Sequence, residues 1–270
     1  MEQWNNFTER NKMTRLNKYL AECGICSRRN ADKLIAQGSV TVNGNKAVSG
    51  MQVCASDCVE VNRKKVQPVS AKVVLAYYKP VGITCTEKDR HAEKTIVEAI
   101  NYPIRLTYAG RLDKESEGLI LMTNDGELIQ RMMKGANHHE KEYLVKVNKE
   151  ITREFLDELS KGVYLKELDE TTRPCSVQYI GKYTFKMILT QGLNRQIRRM
   201  CACFGYDIRS LTRVRVMNIE LDGLKCGEYR ELGGEELSKL YRLCGISDSY
   251  NLFESTLGNS IENKQENVDF

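Results

Sequence analysis

The most informative segment of the chain runs from Gly110 to Gly126 and has the sequence GRLDKESEGLILMTNDG. Its carboxylate Asp113 lies beside Arg111, whose positive charge would favour the ionised form of the carboxyl group. The apolar residues that follow are typical of a buried strand, and the Asn-Asp-Gly after them predicts a turn. Asp113 is therefore expected on a loop held by rigid elements, where proteins commonly place functional side chains. Taken alone, an aspartate in this setting is more often an ordinary turn residue.

The composition predicts a soluble globular protein. The chain has 270 residues, of which 41% are hydrophobic and 29% charged, and this length allows one large or two ordinary domains. It contains no apolar run of about 18 residues, the length of a membrane span. Residues 1–12 are polar and lack the apolar core of a signal peptide. We therefore expect a cytoplasmic protein without a membrane partner.

Basic residues are concentrated in two zones. Residues 13–67 contain nine basic and four acidic residues, and residues 191–215 contain six arginines against one aspartate. Residues 247–270 contain five acidic residues and one lysine. Two positive zones within a net charge of +5 indicate a polyanionic partner, most simply a nucleic acid. Each zone alone is also consistent with a solvated charged surface.

The ten cysteines are expected to be reduced thiols in a cytoplasmic protein. The pairs Cys23/Cys26 and Cys54/Cys58 have spacings that occur in zinc sites. No histidine lies near either pair in the sequence, and Cys23 continues the apolar face of a predicted helix. The adjacent histidines at 138 and 139 would point in different directions on any regular element. We therefore predict no metal site.

The N-terminal region predicts two short helices followed by small strands. Thr14 is expected to cap the first helix, which ends before Gly24. Ser27 is expected to cap the second helix, which ends at Gly38. The predicted strands are 40–42, around 53 and 59–61, with an Asn-Gly hairpin turn at 43–44.

Two arginines, Arg28 and Arg29, fall in the first turn of the second helix, where the helix dipole disfavours positive charge. Their placement is explained if this helix end approaches phosphate. The combined pattern of residues 14–68, with RLNKYL at its start and VTVNG in its middle, resembles an S4 RNA-binding domain. The resemblance implies that Arg15, Lys18, Arg28 and Arg29 contact RNA; a plain helix–hairpin module with a basic surface is the alternative. Residues 64–70 are predicted to be the linker to the next domain.

The second domain is predicted to alternate strands and helices. Asn194 is expected to cap a helix whose apolar face leaves its arginines on the remaining surface. A solvated basic helix is the default interpretation, and Arg209, Arg213 and Arg215 would extend the basic track along a strand. The predicted strands are 73–78, 119–122, one from 143, one near 175–177 and 183–189; the predicted helices are 94–101, 127–133, 152–162, one after 194 and 234–243.

Four motifs follow the S4-like region in order: KPVG at 79–82, GRLDKESEGL at 110–119, KEYLV at 141–145 and NRQIRRM at 194–200. Together they resemble the RNA pseudouridine synthases of the RsuA/RluB/RluF branch, most of all the RluF type. The resemblance implies an α+β fold with a small S4-like domain (14–68) and a catalytic domain (69–246). In the catalytic domain a mixed, mainly antiparallel sheet would be flanked by helices. A leader (1–13) and a disordered acidic tail (247–270) would complete the chain.

The same resemblance implies roles for individual residues. Asp113 would be the catalytic nucleophile and Arg198 its cationic partner. Tyr143 would stack on the target base and is a candidate proton acceptor. For Lys79 a simple turn role is an equal alternative to RNA contact. The residues of this domain that are implied to bind RNA are Lys79, Arg111, Leu112, Lys114, Leu193, Asn194, Arg195, Gln196 and Arg199.

The implied activity is the isomerisation of a specific uridine to pseudouridine in 23S ribosomal RNA by a monomer. A uridine of a transfer-RNA anticodon loop is an open second substrate. The reaction breaks a glycosidic bond and forms a carbon–carbon bond without redox change, so no cofactor is expected. The base must first leave the RNA stack. Two alternatives remain open: a non-catalytic S4-domain RNA-binding or ribosome-assembly factor, and a zinc-dependent nucleic-acid protein.

Overall fold

The computed structural model describes residues 13–86, 94–135 and 138–246. The predicted leader, except Met13, and the predicted acidic tail lie outside these residues. The helices are α1 Leu16–Glu22, α2 Arg28–Ala36, α3 Ile96–Ile100, α4 Gly126–Met133, α5 Arg153–Ser160, α6 Gln196–Cys203 and α7 Gly234–Leu243. The strands are β1 Thr14–Arg15, β2 Val40–Val42, β3 Asn45–Lys46, β4 Gln52–Val53, β5 Val59–Val61, β6 Lys64–Lys65, β7 Val74–Lys79, β8 Thr107–Ala109, β9 Glu117–Thr123, β10 Lys141–Val147, β11 Tyr164–Leu165, β12 Glu170–Thr171, β13 Ser176–Gly181, β14 Thr184–Leu189, β15 Ile208–Val216, β16 Ile219–Glu220 and β17 Tyr229–Glu231.

The N-terminal module contains the helices and the hairpin that the sequence predicts. Helices α1 and α2 share one hydrophobic core with an antiparallel sheet of strand order β3-β2-β5-β6. The hydroxyl of Ser27 caps α2 by accepting a hydrogen bond from the backbone nitrogen of Asn30 at 3.4 Å. Arg28 and Arg29 therefore occupy the first turn of α2, which contains no acidic residue.

Two details of the predicted module are wrong. Arg15, not Thr14, immediately precedes α1, because Thr14 is paired with Val53 in the β1–β4 ladder. Lys64 and Lys65 are not linker residues: they form β6, which pairs with β5. In both cases a backbone pairing with another strand overrides the local signal.

A mixed sheet forms the frame of the second domain. Within the described residues it has nine strands, in the order β13-β14-β10-β15-β9-β7-β17, with β16 paired to β15 and β8 paired to β9. Its pairings are antiparallel except that between β9 and β15. One hydrophobic cluster joins β10 and β14 to α5 and α6, and another joins β7 and β9 to α4 and α7. The predicted α+β class, with a mixed and mainly antiparallel sheet flanked by helices, is confirmed.

The parallel pairing of β9 and β15 requires a glycine. Gly118 lies opposite Arg213 and has a φ of +107°, a conformation that residues with a side chain rarely adopt. A Cβ atom at Gly118 would lie 2.3 Å from the backbone oxygen of Arg213. Because any side chain would force the two strands apart, Gly118 is what lets the preceding loop rejoin the sheet directly.

The end of β9 leads straight into α4 rather than into a free turn. Asp125 caps α4: its carboxylate accepts hydrogen bonds from the backbone nitrogens of Glu127 at 2.9 Å and Leu128 at 3.3 Å. Residues 124–126, predicted as a turn, thus form the helix start. None of the described helices combines the length and the apolar character that crossing a bilayer requires.

Candidate active site

Asp113 lies on the short loop between β8 and β9, and three hydrogen bonds hold the backbone of this loop. The nitrogen of Ser116 donates to the carbonyl of Asp113 at 3.1 Å, and the nitrogen of Gly82 donates to the carbonyl of Lys114 at 2.8 Å. The nitrogen of Leu112 donates to the thiol sulfur of Cys85 at 3.4 Å. The Asp113 side chain remains 33% exposed, so a fixed backbone presents an accessible carboxylate.

A cleft of about 390 Å³ opens at Asp113, within the range of about 300–1,000 Å³ typical of small-molecule pockets. Tyr143 and Arg198 line the same cleft, so the three residues predicted to be catalytic are brought together. The predicted RNA-binding residues that also line it are Arg111, Leu112, Lys114, Leu193, Asn194, Arg195 and Gln196. Residues of the motifs at 110–119 and 194–200, and the tyrosine of the motif at 141–145, thus line the same cleft.

Tyr143 belongs to a wall of this cleft. It lies in β10 between Met187 of β14 and Arg213 of β15, and it is 9% exposed. The surrounding cluster includes Leu112 and Leu211, which also line the cleft. A flat ring fixed in an apolar wall is suited to stacking on a base.

The predicted ion pair between Asp113 and Arg198 is wrong. The Nη1 atom of Arg195 lies 4.0 Å from the Asp113 carboxylate and 2.6 Å from that of Glu115. Arg198 instead donates from Nη2 to the carbonyl of Glu115 at 3.0 Å and to the hydroxyl of Ser116 at 3.3 Å. Arg198 therefore anchors the loop that carries Asp113, and Arg195 supplies the cation next to the carboxylate.

The start of α6 also differs from the prediction. Arg195, not Asn194, is the residue before α6, and it has left-handed backbone angles of φ 51° and ψ 34°. Asn194 does not cap the helix; its side-chain oxygen accepts a hydrogen bond from Arg199 at 3.3 Å. Arg199 also forms an ion pair with Glu167. Arg199 is thus already bound within the chain, and it does not line the cleft.

The bond between Arg195 and Glu115 fixes the charge of both side chains. The hydrogen bond from Arg195 holds the pKa of the Glu115 carboxyl below its usual value, and the same bond raises the pKa of Arg195. The mouth of the cleft therefore carries a cation and two carboxylates, those of Asp113 and Glu115.

Two residues predicted to bind RNA are structural. Lys79 is fully buried, and its ammonium donates to the carbonyls of Pro80 at 2.7 Å and Ile83 at 2.9 Å. It closes the KPVG turn from inside, which favours the alternative of a simple turn role for Lys79. Gln196 is also buried, with its carbonyl oxygen accepting from the backbone nitrogen of Leu193 at 3.0 Å. Gln196 thus holds the 193–196 turn, and its contact with RNA stays a prediction.

Of the three arginines predicted to form a basic track along β15, Arg209 is exposed, but Arg213 and Arg215 are not. Arg213 is 2% exposed and donates from Nε to the carbonyl of Leu119 at 2.6 Å. Arg215 is bound by the carboxylates of Glu140 and Glu142, each at 3.0 Å. The parallel β9–β15 pairing buries this part of the strand, which the sequence alone does not indicate.

Sequence reasoning missed two residues of the cleft wall, His139 and Lys141. Lys141 lies two residues before Tyr143 in β10 and donates to the carbonyl of His139 at 3.1 Å. Burial lowers the pKa of Lys141 to about 8, and the neighbouring Arg213 acts in the same direction. Burial also lowers the pKa of His139, whose Nε2 atom has no partner among the described residues. For Lys141 the signal in the sequence was its two-residue spacing from Tyr143 on one strand.

The basic residues of the N-terminal module lie apart from the Asp113 cleft. Arg15, Arg28 and Arg29 are exposed, and Lys18 pairs with Glu22 at 3.6 Å. Lys18 and Arg28 line a second cleft of about 380 Å³ between this module and the β9–α4 corner, in the same size range as other ligand pockets. Over the residues that the structure describes, no group of three or more His, Cys, Asp or Glu is arranged to hold a metal ion.

Comparison with known proteins agrees with this arrangement. The family model described as RNA pseudouridylate synthase matches residues 73–203, and the S4 domain model matches residues 14–59. The dual-specificity RNA pseudouridine synthase RluF of Salmonella typhi is 47% identical over 238 residues, which are 87% of this chain and 81% of that protein. The chain belongs to the RNA pseudouridine synthase family. The ribosomal large subunit pseudouridine synthase B of Bacillus subtilis is 36% identical over 86% of this chain and 97% of that protein.

A solved relative has the same fold. A crystal structure of a pseudouridylate synthase superimposes with a TM-score of 0.62 and 28% identity, covering 84% of this chain and 99% of that one. Membership of this family identifies the chain as an RNA-modifying enzyme and favours the catalytic interpretation over a non-catalytic RNA-binding factor. The order of an S4 domain before a synthase domain is as predicted. The roles of its individual residues stay predictions.

Proposed function

We propose that this pseudouridine synthase isomerises one specific uridine of 23S ribosomal RNA and, as a second substrate, a uridine of a transfer-RNA anticodon loop. The observation that carries the proposal is the cleft shared by Asp113, Tyr143 and Arg195. The similarity to a dual-specificity synthase and to a large-subunit synthase supports these two RNA classes.

Asp113 is the nucleophile in this proposal. A carboxylate is a weak nucleophile in water, so a cleft that excludes part of the water and fixes one cation beside it favours reaction. Arg195, 4.0 Å from the carboxylate, supplies that cation. Arg198 holds the backbone of the same loop through Glu115 and Ser116, which keeps the carboxylate aimed into the cleft.

The target uridine reaches Asp113 only after it leaves the RNA stack, at a cost of a few kcal/mol. The ring of Tyr143 then stacks on the uracil, and its phenol, or a water it orients, accepts the proton from the carbon that forms the new bond. Arg15, Lys18, Arg28 and Arg29 of the S4 domain, with Arg111 and Lys114 at the cleft, supply the phosphate contacts that offset the cost of base flipping.

The decisive experiment is pseudouridine mapping on unmodified transcripts of 23S RNA and of transfer RNAs. We expect the purified protein to form pseudouridine at one 23S position and Asp113→Asn to form none. Asp157→Asn, on the exposed side of α5 and outside the cleft, is the matched control and keeps activity. Full activity of Asp113→Asn would exclude the mechanism, and unmodified transfer RNA would remove the second substrate. Ribosomal RNA from cells with and without the gene then identifies the position.

We further infer that the synthase acts in the cytoplasm, because it is similar to a ribosomal large subunit pseudouridine synthase, and that it acts as a monomer. A monomeric enzyme has a specific activity that does not depend on its concentration. Light scattering at the concentration used for the assay gives the mass directly, and a dimer with a dilution-dependent activity would contradict the inference.

A further inference from the structure

Resting on the proposed function, we propose that Lys141 is a further catalytic residue. Its ammonium binds a carbonyl oxygen of the flipped uracil and stabilises the negative charge that the ring acquires during the reaction.

The position of Lys141 in β10 supports this role. Lys141 and Tyr143 are two residues apart, so their side chains lie on the same face of the strand, about 7 Å apart along it. Both line the Asp113 cleft. An ammonium on a flexible four-carbon stem can therefore reach the edge of a base that stacks on Tyr143.

The hydrogen bonds around Lys141 leave donors for a ligand. An ammonium has three N–H donors, and among the described residues that of Lys141 finds one acceptor, the carbonyl of His139 at 3.1 Å. The adjacent Arg213 is buried, and its Nη2 atom has no partner in the part of the chain that the structure describes. Two neighbouring cations with unused donors form a wall suited to an oxygen that gains negative charge.

The pKa of Lys141 agrees with an ammonium that lacks an anionic hydrogen-bond partner in the RNA-free protein. Burial lowers its pKa to about 8, and Arg213 acts in the same direction, while no described carboxylate raises it. A lysine in such a setting carries an unfavourable charge until an anion arrives, so its interaction with the substrate strengthens as negative charge develops.

The chemistry needs such a group whichever atom Asp113 attacks. If the carboxylate attacks the ribose carbon, the electron pair of the glycosidic bond leaves with the uracil, and the charge spreads to its two carbonyl oxygens. If it adds to carbon 6 of the ring, the double-bond electrons move toward carbon 5 and the oxygen on carbon 4. In the first route carbon 5 then attacks the ribose carbon and displaces the Asp113 carboxylate. In the second route the glycosidic bond breaks, carbon 5 bonds to the ribose carbon, and the Asp113 carboxylate leaves carbon 6 as carbon 5 loses its proton. In both routes carbon 5 ends without its proton, N1 gains one, and Asp113 is released. Lys141 donates a hydrogen bond throughout and keeps its own proton.

A ring carbonyl fits this position better than the phosphate of the flipped nucleotide. Lys141 is partly buried on the Tyr143 wall, whereas the arginines at the cleft mouth, Arg111 and Arg195, are exposed. The RNA backbone approaches from the exposed side. Loss of Lys141 distinguishes the two acceptors: loss of a phosphate contact weakens RNA binding, whereas loss of a carbonyl contact slows the chemical step.

The test uses the 23S transcript on which the wild-type protein forms pseudouridine. We expect Lys141→Met to lower the single-turnover rate about 100- to 1,000-fold at saturating enzyme, the loss typical of one oxyanion donor. The Kd for the transcript should change less than about twofold, as for a contact made in the transition state. Lys146→Met removes the same charge from the opposite, exposed face of β10 and keeps the wild-type rate.

A pH profile separates this role from a structural one. The titratable and charged groups that line the cleft together with Lys141 are Cys85, Arg111, Asp113, Lys114, His139, Tyr143, Arg195, Arg198 and Arg213. We expect kcat/KM of the wild type, which reports the free enzyme, to fall above a pH near the pKa of about 8 of Lys141. Lys141→Arg should retain part of the rate and lack this alkaline limb, because a guanidinium stays protonated.

Three outcomes would overturn the proposal. An unchanged single-turnover rate in Lys141→Met, with an active wild type, sinks the role of Lys141 and leaves the proposed function standing. A loss confined to Kd would assign the lysine to phosphate. An alkaline limb that persists in Lys141→Arg would assign the titration to another group, and this readout holds even if Lys141→Met fails to fold. A wild type that modifies no RNA would overturn the proposed function and this role with it.

Discussion

Arg195 donates to the carboxylate of Glu115 at 2.6 Å, and this ion pair lies beside the carboxylate of Asp113. One guanidinium is thus shared between two acidic side chains at the cleft mouth. Because the Arg195 hydrogen bond lowers the pKa of Glu115, Glu115 stays charged near neutral pH. If Arg195 binds phosphate, as the sequence predicts, Glu115 competes with that phosphate for its guanidinium.

We predict that Glu115→Gln binds RNA about two- to fivefold more tightly at low salt, because an exposed ion pair is worth about 0.2–1 kcal/mol and its loss frees Arg195. The backbone carbonyl of Glu115, which anchors Arg198, is kept in this variant. Filter binding at two salt concentrations measures the effect. Glu154→Gln removes the same charge from exposed α5 and should give a smaller change. A change no larger than that of Glu154→Gln, or weaker binding, would contradict the competition between Glu115 and RNA for Arg195.

We predict that Gly118→Ala destabilises the protein by about 2–4 kcal/mol and abolishes activity, because the new Cβ combines a positive φ with a backbone clash. That Cβ would lie 2.3 Å from the carbonyl oxygen of Arg213. Gly223 has a φ of +74°, and a Cβ atom added there would have no heavy atom within 4 Å, so Gly223→Ala measures the conformational strain alone. Urea unfolding gives the loss of unfolding free energy for each variant, and the difference between them is the contribution of the clash. Equal losses of unfolding free energy in the two variants would refute the clash.

The Asp113 loop and the N-terminal module were predictable because their signals are local. The Ser27 cap and the two arginines after it lie where the capping pattern places them. Asp113 lies between two glycines and a buried strand, and the structure puts it on a loop held by β8 and β9. These short-range patterns are set within a few residues, whereas strand pairing with distant residues overrode the local signals at Thr14 and at Lys64 and Lys65 of the same module.

The errors concern charges whose partners are distant in the chain. Arg198 and Arg195 are three residues apart, and only the contact with the 113–116 loop, about 80 positions away in sequence, decides which one faces Asp113. Lys79 and Arg213 were placed at the surface because lysine and arginine are mostly exposed. Buried carbonyls of the KPVG turn and of Leu119 accept their hydrogen bonds instead. A single sequence does not reveal such acceptors.

We predict that Glu142→Gln destabilises the protein by about 1–3 kcal/mol at pH 7, the value of a hydrogen bond to a charged group. Glu142 accepts from Arg215 at 3.0 Å and Lys186 at 2.9 Å. Burial raises the pKa of Glu142, but the hydrogen bonds from Lys186 and Arg215 outweigh this and lower it.

The sign of its pH dependence follows from that lowered pKa. A carboxyl group with a lower pKa in the folded protein contributes its full stability above the unfolded value of about 4.3 and loses it as the pH falls through the folded value. The difference between wild type and Glu142→Gln should therefore be constant from about pH 7 to 5 and shrink below about pH 4. Urea unfolding across this range measures it, with exposed Glu158→Gln as the control. A difference that grows in acid would contradict the assignment.

We predict that replacing Arg28 and Arg29 together by glutamine stabilises the S4 module and weakens RNA binding. Both guanidiniums lie at the positive end of the α2 dipole, an unfavourable placement worth about 0.3–1 kcal/mol per charge. Arg28 also lies near the start of α4, since a Cβ at Gly126 would be 3.6 Å from its Nη2 atom. Because Arg28 destabilises the starts of both α2 and α4, we expect its guanidinium to bind RNA phosphate.

Two measurements on the same variant test this trade-off. The melting temperature should rise, and the slope of log Kd against log salt for 23S RNA should fall by about 1.4–1.8, the release of two phosphate contacts. Lys64→Gln with Lys65→Gln removes two charges from β6 of the same module without touching a helix start, so its melting temperature should not rise. If the arginine variant melts higher but binds RNA with an unchanged salt slope, phosphate does not explain Arg28 and Arg29. Their position at the start of α2 would then lower the stability of the module without contributing to RNA binding.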